Sequence, residues 1–308
     1  MNKTFYDVVV LGRNTGSLLA ATLLVKRGFR VLVLGQGDLP PSYELGPRRL
    51  PRRPFAFDVV RTPIARQVFS ELALHPMIRR RVQAANPLFH WAFPGQRLDL
   101  SADPEQRAAE ISREFTDVQR VIEDYERSVE RAMDDLDELT QRELTWPPEG
   151  FFERREFRRA TAQRAFERNG DVGDPLQELP EDHPYRVGVA AIAQFGDHIE
   201  PGQGQALRRM RHHGHWLRGI AKLADGEQEL QDLLIERLTS NLGEYRPDDR
   251  ADGIESVRNA VRGVRLQNSG DEVGCTFVVA GCSARRVLGL LPDRRPFADI
   301  FERLGEPQ

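Results

Sequence analysis

The chain has 308 residues, 40% hydrophobic and 30% charged, enough apolar side chain for two packed domains or one large one. Its formal net charge is −3, with 44 Lys and Arg against 47 Asp and Glu, so no overall field draws it to nucleic acid. Two cysteines are too few for a disulfide framework, and Cys275 and Cys282 match no metal-ligand spacing.

Both cysteines read as reduced, buried thiols. The apolar run in the first twelve residues is too short for a signal peptide or a membrane span, and no later run approaches the roughly 18 apolar residues a spanning helix needs. A cytoplasmic protein is expected.

In chain order, residues 6–11 form a β-branched run with almost no polar interruption, the pattern of a strand buried on both faces of a parallel sheet. Residues 12–17 supply a turn. Residues 18–25 make an apolar helix that Lys26 and Arg27 complement at its C-terminal end and Gly28 terminates. Residues 30–34 are a second strand, which completes a β-α-β crossover in about the ~30 residues such a unit needs. Pro40, Pro41, Pro47, Pro51 and Pro54 then predict an irregular stretch, and Thr62-Pro63 opens a helix to about His75.

Residues 89–93 and 97–100 flank Pro94-Gly95 as a hairpin. Asp103-Pro104 opens a long helix in which Ala108, Ile111, Phe115, Val118, Ile122, Tyr125, Val129, Ala132, Leu136 and Leu139 recur at steps of three and four. That stripe is expected to pack within its own domain, with a coiled-coil or partner-binding helix as the alternative. Residues 146–180 predict short helices and loops, followed by helices at about 184–195 and 227–241 and strands at 254–257, 261–266 and 276–280. The expected fold class is α/β: a Rossmann-like dinucleotide-binding layer, residues 1–85 and 222–308, with a largely helical second domain, residues 86–221, inserted in it.

The candidate chemistry lies in the first turn, Gly12-Arg13-Asn14-Thr15-Gly16-Ser17. In the G-x-G-x-x-G fingerprint the first glycine allows the tight turn, the second admits the pyrophosphate and the third lets helix and strand pack closely. Gly12 keeps the first place, Asn14 takes the second and Ser17 the third. The helix N-terminus still offers N–H groups to an anion, and Thr15 adds a hydroxyl. At the end of the second strand Gly35 stands where an acid usually accepts the adenosine ribose hydroxyls, with Gln36 as a neutral substitute and Asp38 nearer the loop. The expected cofactor-binding set is Gly12, Arg13, Asn14, Thr15, Gly16, Ser17, Gly35 and Gln36, and Gly35→Glu is expected to restore a ribose contact.

Residues 7–12, the helix after them, residues 30–34 and the later run 226–291 together resemble the FAD-dependent phytoene-desaturase and amine-oxidase superfamily. In that superfamily a helix like 227–242 leads through Gly243 into strands like 254–257 and 263–266, then into one like 277–281 followed by a helix such as 283–291. The resemblance implies an FAD-dependent oxidoreductase acting on a small apolar molecule, the flavin doing the hydride chemistry. FAD is expected to be held weakly or to have been lost. The superfamily closes its flavin site with a C-terminal glycine-containing segment, whereas this sequence ends at Gln308 soon after Pro296-Phe297, which implies a divergent or C-terminally truncated relative. The superfamily also resembles regulators of small GTPases that keep the fold without flavin chemistry, so a non-catalytic binding or scaffold protein is the alternative.

No catalytic acid or base stands out. His212, His213 and His215 lack a nearby carboxylate or cysteine in sequence, so they read as a basic surface or interface segment and not as a metal site. His183 and His198 read as polar loop residues. The clusters Arg79-Arg80-Arg81, Arg154-Arg155 with Arg158-Arg159, and Arg208-Arg209 read as solvated salt-bridging faces, with lipid phosphates in a peripheral membrane contact as the alternative.

Overall fold

Val8, Val9, Val10 and Leu11 are each at most 3% exposed, which is what a strand flanked and covered on both faces requires. They belong to β1 (Phe5–Leu11), which leads through a turn into α1 (Thr15–Lys26) and β2 (Val31–Leu34). The computed structural model describes residues 5–52, 55, 57, 62–142, 144, 145, 148, 150–162, 173–197, 206–258 and 260–292. Pro54, Trp146, His198, Pro296, Phe297 and Gln308 lie outside the described residues.

After β2 come a hairpin of β3 (Ser42–Leu45) and β4 (Arg48–Pro51), then α2 (Pro63–Glu71), α3 (His75–Arg81) and β5 (Gln83–Ala84). The hairpin β6 (Phe89–Phe93) and β7 (Gln96–Leu100) follows, with α4 (Pro104–Glu114), α5 (Gln119–Gln141) and α6 (Phe151–Thr161). A 3-10 turn at Pro175–Glu178 precedes α7 (Pro184–Asp197), α8 (Ala206–Leu217) and β8 (Ala221–Lys222). The chain closes through α9 (Glu227–Ser240), β9 (Glu244–Arg246), β10 (Ala251–Val257), β11 (Ala260–Leu266), β12 (Glu272–Ala280) and α10 (Ala284–Leu290).

Two compact units result, one of residues 1–53, 71–73 and 224–308 and one of residues 54–70 and 74–223. Residues 74–85 group with the second unit because β5 pairs with β8, and Phe57 bridges Ala221.

The first unit is built on a sheet in the order β10-β11-β12-β1-β2-β9. β12, β1, β2 and β9 are parallel, while β10, β11 and the start of β12 run antiparallel. β12 is long enough to serve both arrangements: Glu272 to Gly274 pair with β11, and Gly274 to Ala280 pair with β1. α1 packs on α9, where Leu18, Ala21, Thr22, Leu234 and Leu238 are fully buried. The Thr22 hydroxyl avoids an unmet donor there by bonding back to the Leu18 carbonyl at 2.6 Å.

The second unit is mostly helices around α5, whose Ile122, Tyr125, Val129, Ala132 and Met133 enter one core with Ile111, Phe115 and residues of α7 and α8. The expected stripe is thus buried within its own unit over Ile111, Phe115, Ile122, Tyr125, Val129 and Ala132, while Val118, Leu136 and Leu139 are half-buried and Ala108 is exposed. The single long helix is not formed: α4 ends at Glu114, Phe115 turns its ring inward with φ −133°, and α5 starts after Val118. Thr116, Asp117 and Val118 are weak helix formers, and the Thr116 hydroxyl bonds back to the Ser112 carbonyl at 2.6 Å. The N-terminus of α4 follows the sequence signal, with the Asp103 carboxylate accepting the N–H groups of Glu105 and Gln106 ahead of Pro104. Among the described residues no helix is long and apolar enough to cross a membrane.

Candidate functional site

Because β1 has β2 on one side and β12 on the other, a crevice opens beyond the C-terminal ends of these three strands. Backbone bonds fasten its floor: Gly281 N–H donates to the Leu11 carbonyl and Gly12 N–H to the Leu34 carbonyl, both at 2.8 Å. Gly12 has φ +112°, a conformation that a side chain would strain.

Asn14, in the place of the fingerprint's second glycine, is the N-cap of α1. Its Oδ1 accepts the Ser17 N–H at 3.0 Å, and its Nδ2 donates to the Gly281 carbonyl at 2.5 Å. The side chain expected to crowd a phosphate instead ties α1 to the end of β12. Ser17 is 3% exposed, its hydroxyl 3.2 Å from Asn14 Oδ1. A Cβ placed on Gly281 would fall 1.7 Å from that hydroxyl, so the close approach once assigned to a third glycine is made possible by a glycine on the opposite strand.

The end of β2 departs from expectation. A Cβ on Gly35 would lie 1.8 Å from the Pro247 carbonyl oxygen, and Gly35 N–H donates to the Arg246 carbonyl at 2.9 Å. Gly35 is therefore a packing glycine, and the repair by Gly35→Glu is corrected to a backbone clash. Gln36 is also not a ribose partner. It is 3% exposed, and its amide pairs with Ala251 like a neighbouring strand, Nε2 to the carbonyl at 2.7 Å and Oε1 from the N–H at 2.9 Å.

The acid that reaches the turn is Asp38. Its Oδ2 accepts the Arg13 N–H at 3.0 Å beside Gly12, and its Oδ1 lies 3.3 Å from Arg286 Nη1. Arg286 also donates to the Gln36 carbonyl. The sequence marked Asp38 only by its nearness to the loop, because its reach depends on the left-handed backbone at Gln36 and Gly37.

A cavity of about 380 Å³ occupies this crevice, lined by Asn14, Asp38, Arg52, Gln231, Cys282 and Arg286 with Leu39, Pro40 and Pro41 as an apolar wall. That is within the range of ligand pockets. Arg52 donates from Nε to the Pro40 carbonyl at 3.0 Å and lies over the Tyr43 ring at 5.1 Å, with no ion pair to a described carboxylate. Gln231 is 2% exposed and its Oε1 has no partner. At the foot of α1 the Thr15 hydroxyl donates to Glu227 Oε1 at 2.6 Å, and Glu227 is 6% exposed. Cys282 is half-buried instead of buried, and desolvation raises its thiol pKa, which keeps it protonated.

These residues fit the adenosine-phosphate half of a dinucleotide. The N–H groups of Thr15 and Gly16, that of Ser17 being taken by Asn14, and the Arg52 guanidinium suit a phosphate, and the Asp38 carboxylate suits a ribose hydroxyl. Gln231 Oε1 is a buried acceptor left for a donor. Nothing in the sequence pattern singled out Arg52, Gln231 or Gly281.

The histidines of the second unit separate. His213 is fully buried on α8, its ring 5.6 Å from that of Tyr125 and near Trp91 and Tyr185, so the expected basic surface segment is corrected at its centre. Neither ring nitrogen has a partner, and burial pushes its pKa down to about 3. His183 caps α7, its Nδ1 accepting the Tyr185 N–H at 3.2 Å. Among the described residues no group of three His, Cys, Asp or Glu is placed to hold a metal ion.

No family model matches the chain, and no curated protein does. Solved structures share its fold. An oxidoreductase from Methanosarcina mazei is similar at a TM-score of 0.60 and 13% identity, over 98% of this chain and 65% of that one. Rab GDI from Plasmodium falciparum is similar at 0.54 and 11%, over 94% and 67%. A putrescine oxidase variant redesigned in cofactor binding is similar at 0.52 and 12%, over 89% and 57%. The chain thus spans about two thirds of the length of the first two. What these structures share with the chain is the fold, a Rossmann-type α/β fold.

Proposed function

We propose that this chain carries the nucleotide-binding part of an FAD-dependent oxidoreductase, its crevice taking the adenosine-phosphate half of the cofactor. The observation that carries this is the convergence around one 380 Å³ cavity of Asn14 at the N-terminus of α1, Asp38, Arg52 and Gln231. In this reading the α1 N–H groups and Arg52 hold phosphate, and Asp38 accepts from the ribose. Flavin, when bound, supplies hydride transfer; the residues named here bind and orient it. A small apolar molecule is the substrate class. The test is the visible absorption of the purified chain, followed by titration of FAD against flavin fluorescence with ADP as competitor. Saturable binding that ADP reverses is expected.

A second reading, a binding protein that keeps the fold without flavin, is favoured by one feature. The carboxylate of Glu227 is buried against the Thr15 hydroxyl, so the chain's own anion occupies part of the positive end of α1. A colourless protein that neither FAD nor ADP titrates selects this second reading.

A further inference from the structure

On α6, Glu153, Phe157, Ala160 and Thr161 turn inward, and the opposite face is exposed. Helical spacing of about 100° per residue places Phe151, Phe152, Arg155, Arg158 and Arg159 together on that outward face. The two phenyl rings are 74% and 79% exposed and meet edge to face at 5.8 Å. Beside them a surface hollow of about 330 Å³ is lined by Phe151, Arg155, Arg158 and Arg159. None of these arginines, nor Arg154 on the flank, pairs with a described carboxylate, although the whole chain carries more acids than bases. Among the described residues the expected salt bridges of this face are not formed. The helix is held in shape from within: Gly150 N–H donates to Glu153 Oε2 at 3.0 Å, closing its first turn.

We propose that the outward face of α6 docks on an anionic lipid bilayer, the arginines meeting lipid phosphates and Phe151 and Phe152 entering the headgroup boundary. Charge complementarity selects a polyanionic partner, and guanidinium groups match phosphate oxygens two at a time. The phenyl rings select among polyanions. An acidic protein segment would leave two adjacent rings in water, whereas the bilayer interface takes aromatic and basic groups side by side.

Co-sedimentation of the full chain with vesicles tests this. Binding to phosphatidylserine mixed into phosphatidylcholine is expected to exceed binding to phosphatidylcholine alone and to fall as salt shortens the screening length. Arg155→Glu with Arg158→Glu is expected to weaken it at least about thirtyfold, and Phe151→Ser with Phe152→Ser about tenfold. All four positions are exposed, so helix content by circular dichroism and Tm should not change. Equal binding to both vesicle types would overturn the proposal. So would phenylalanine variants that bind as well as the original, a single-stranded oligoribonucleotide that displaces the vesicles completely and retains affinity for the chain without them, or light scattering that shows a dimer which Phe151→Ser dissociates.

Discussion

Gln36 and His213 are both buried polar side chains, and they meet that situation in opposite ways. Gln36 spends both ends of its amide on the backbone of Ala251 and so extends the pairing of β2 toward β10. His213 has neither ring nitrogen bonded and is tolerated as a neutral aromatic among Tyr125, Tyr185 and Trp91. A buried polar group that is fully paired contributes to the architecture, whereas an unpaired one costs stability that an apolar replacement would recover. The end of β2 is closed by protein atoms, and the acid that lines the crevice is Asp38.

The largest effect is expected at the closed end itself. Gly35→Glu drives a side chain into the Pro247 carbonyl and should cost about 4 kcal/mol or more, read as a collapse of the urea midpoint and not as tighter FAD binding. A stable variant would show that the β9–β10 connection yields and that this end is open. Next, Gln36→Leu leaves the N–H and carbonyl of Ala251 buried without partners, a loss of about 2–4 kcal/mol in the same assay. A loss below about 1 kcal/mol would mean that water already reaches Ala251.

The contrasting substitution, His213→Phe, removes no hydrogen bond and should be neutral or stabilising by about 1 kcal/mol at neutral pH. Its signature is in acid. The folded pKa of about 3 lies below the ordinary 6.5, so below 6.5 the unfolded chain binds a proton that the folded one refuses. Stability is present above 6.5 and lost at about 1.4 kcal/mol per pH unit as pH falls toward 3. His213→Phe should remove that slope, and an unchanged acid limb would place the protonation elsewhere.

The sequence made the crossover legible because burial on both faces leaves a continuous apolar run in β1 and β2, and because Asp103-Pro104 and Gly12 have local reasons to be where they are. It also marked the stripe from Ile111 to Leu139 as buried, which holds as far as Ala132, although not the break after Glu114, since one turned residue at Phe115 leaves the three-and-four spacing intact. The site was harder to see. Gly281 substitutes for a fingerprint glycine from 264 residues further along the chain, and the pairing of Gln36 with Ala251 and the clash at Gly35 are long-range facts with no local pattern. The β3–β4 hairpin and α8 went unpredicted, the first because its prolines suggested irregular chain, the second because its arginines and histidines obscured the apolar side formed by Leu207, Met210, His213 and Trp216.

The central claim, that the crevice binds nucleotide and that Asp38 has taken over the ribose contact, is tested most directly by titrating FAD into the original chain and into Asp38→Asn while following flavin fluorescence. The account predicts saturable binding to the original, reversed by ADP, and binding about tenfold weaker to Asp38→Asn, the equivalent of ~1.4 kcal/mol for a lost charge-assisted hydrogen bond. Equal affinity in the two proteins, or no saturable binding to the original, would contradict it.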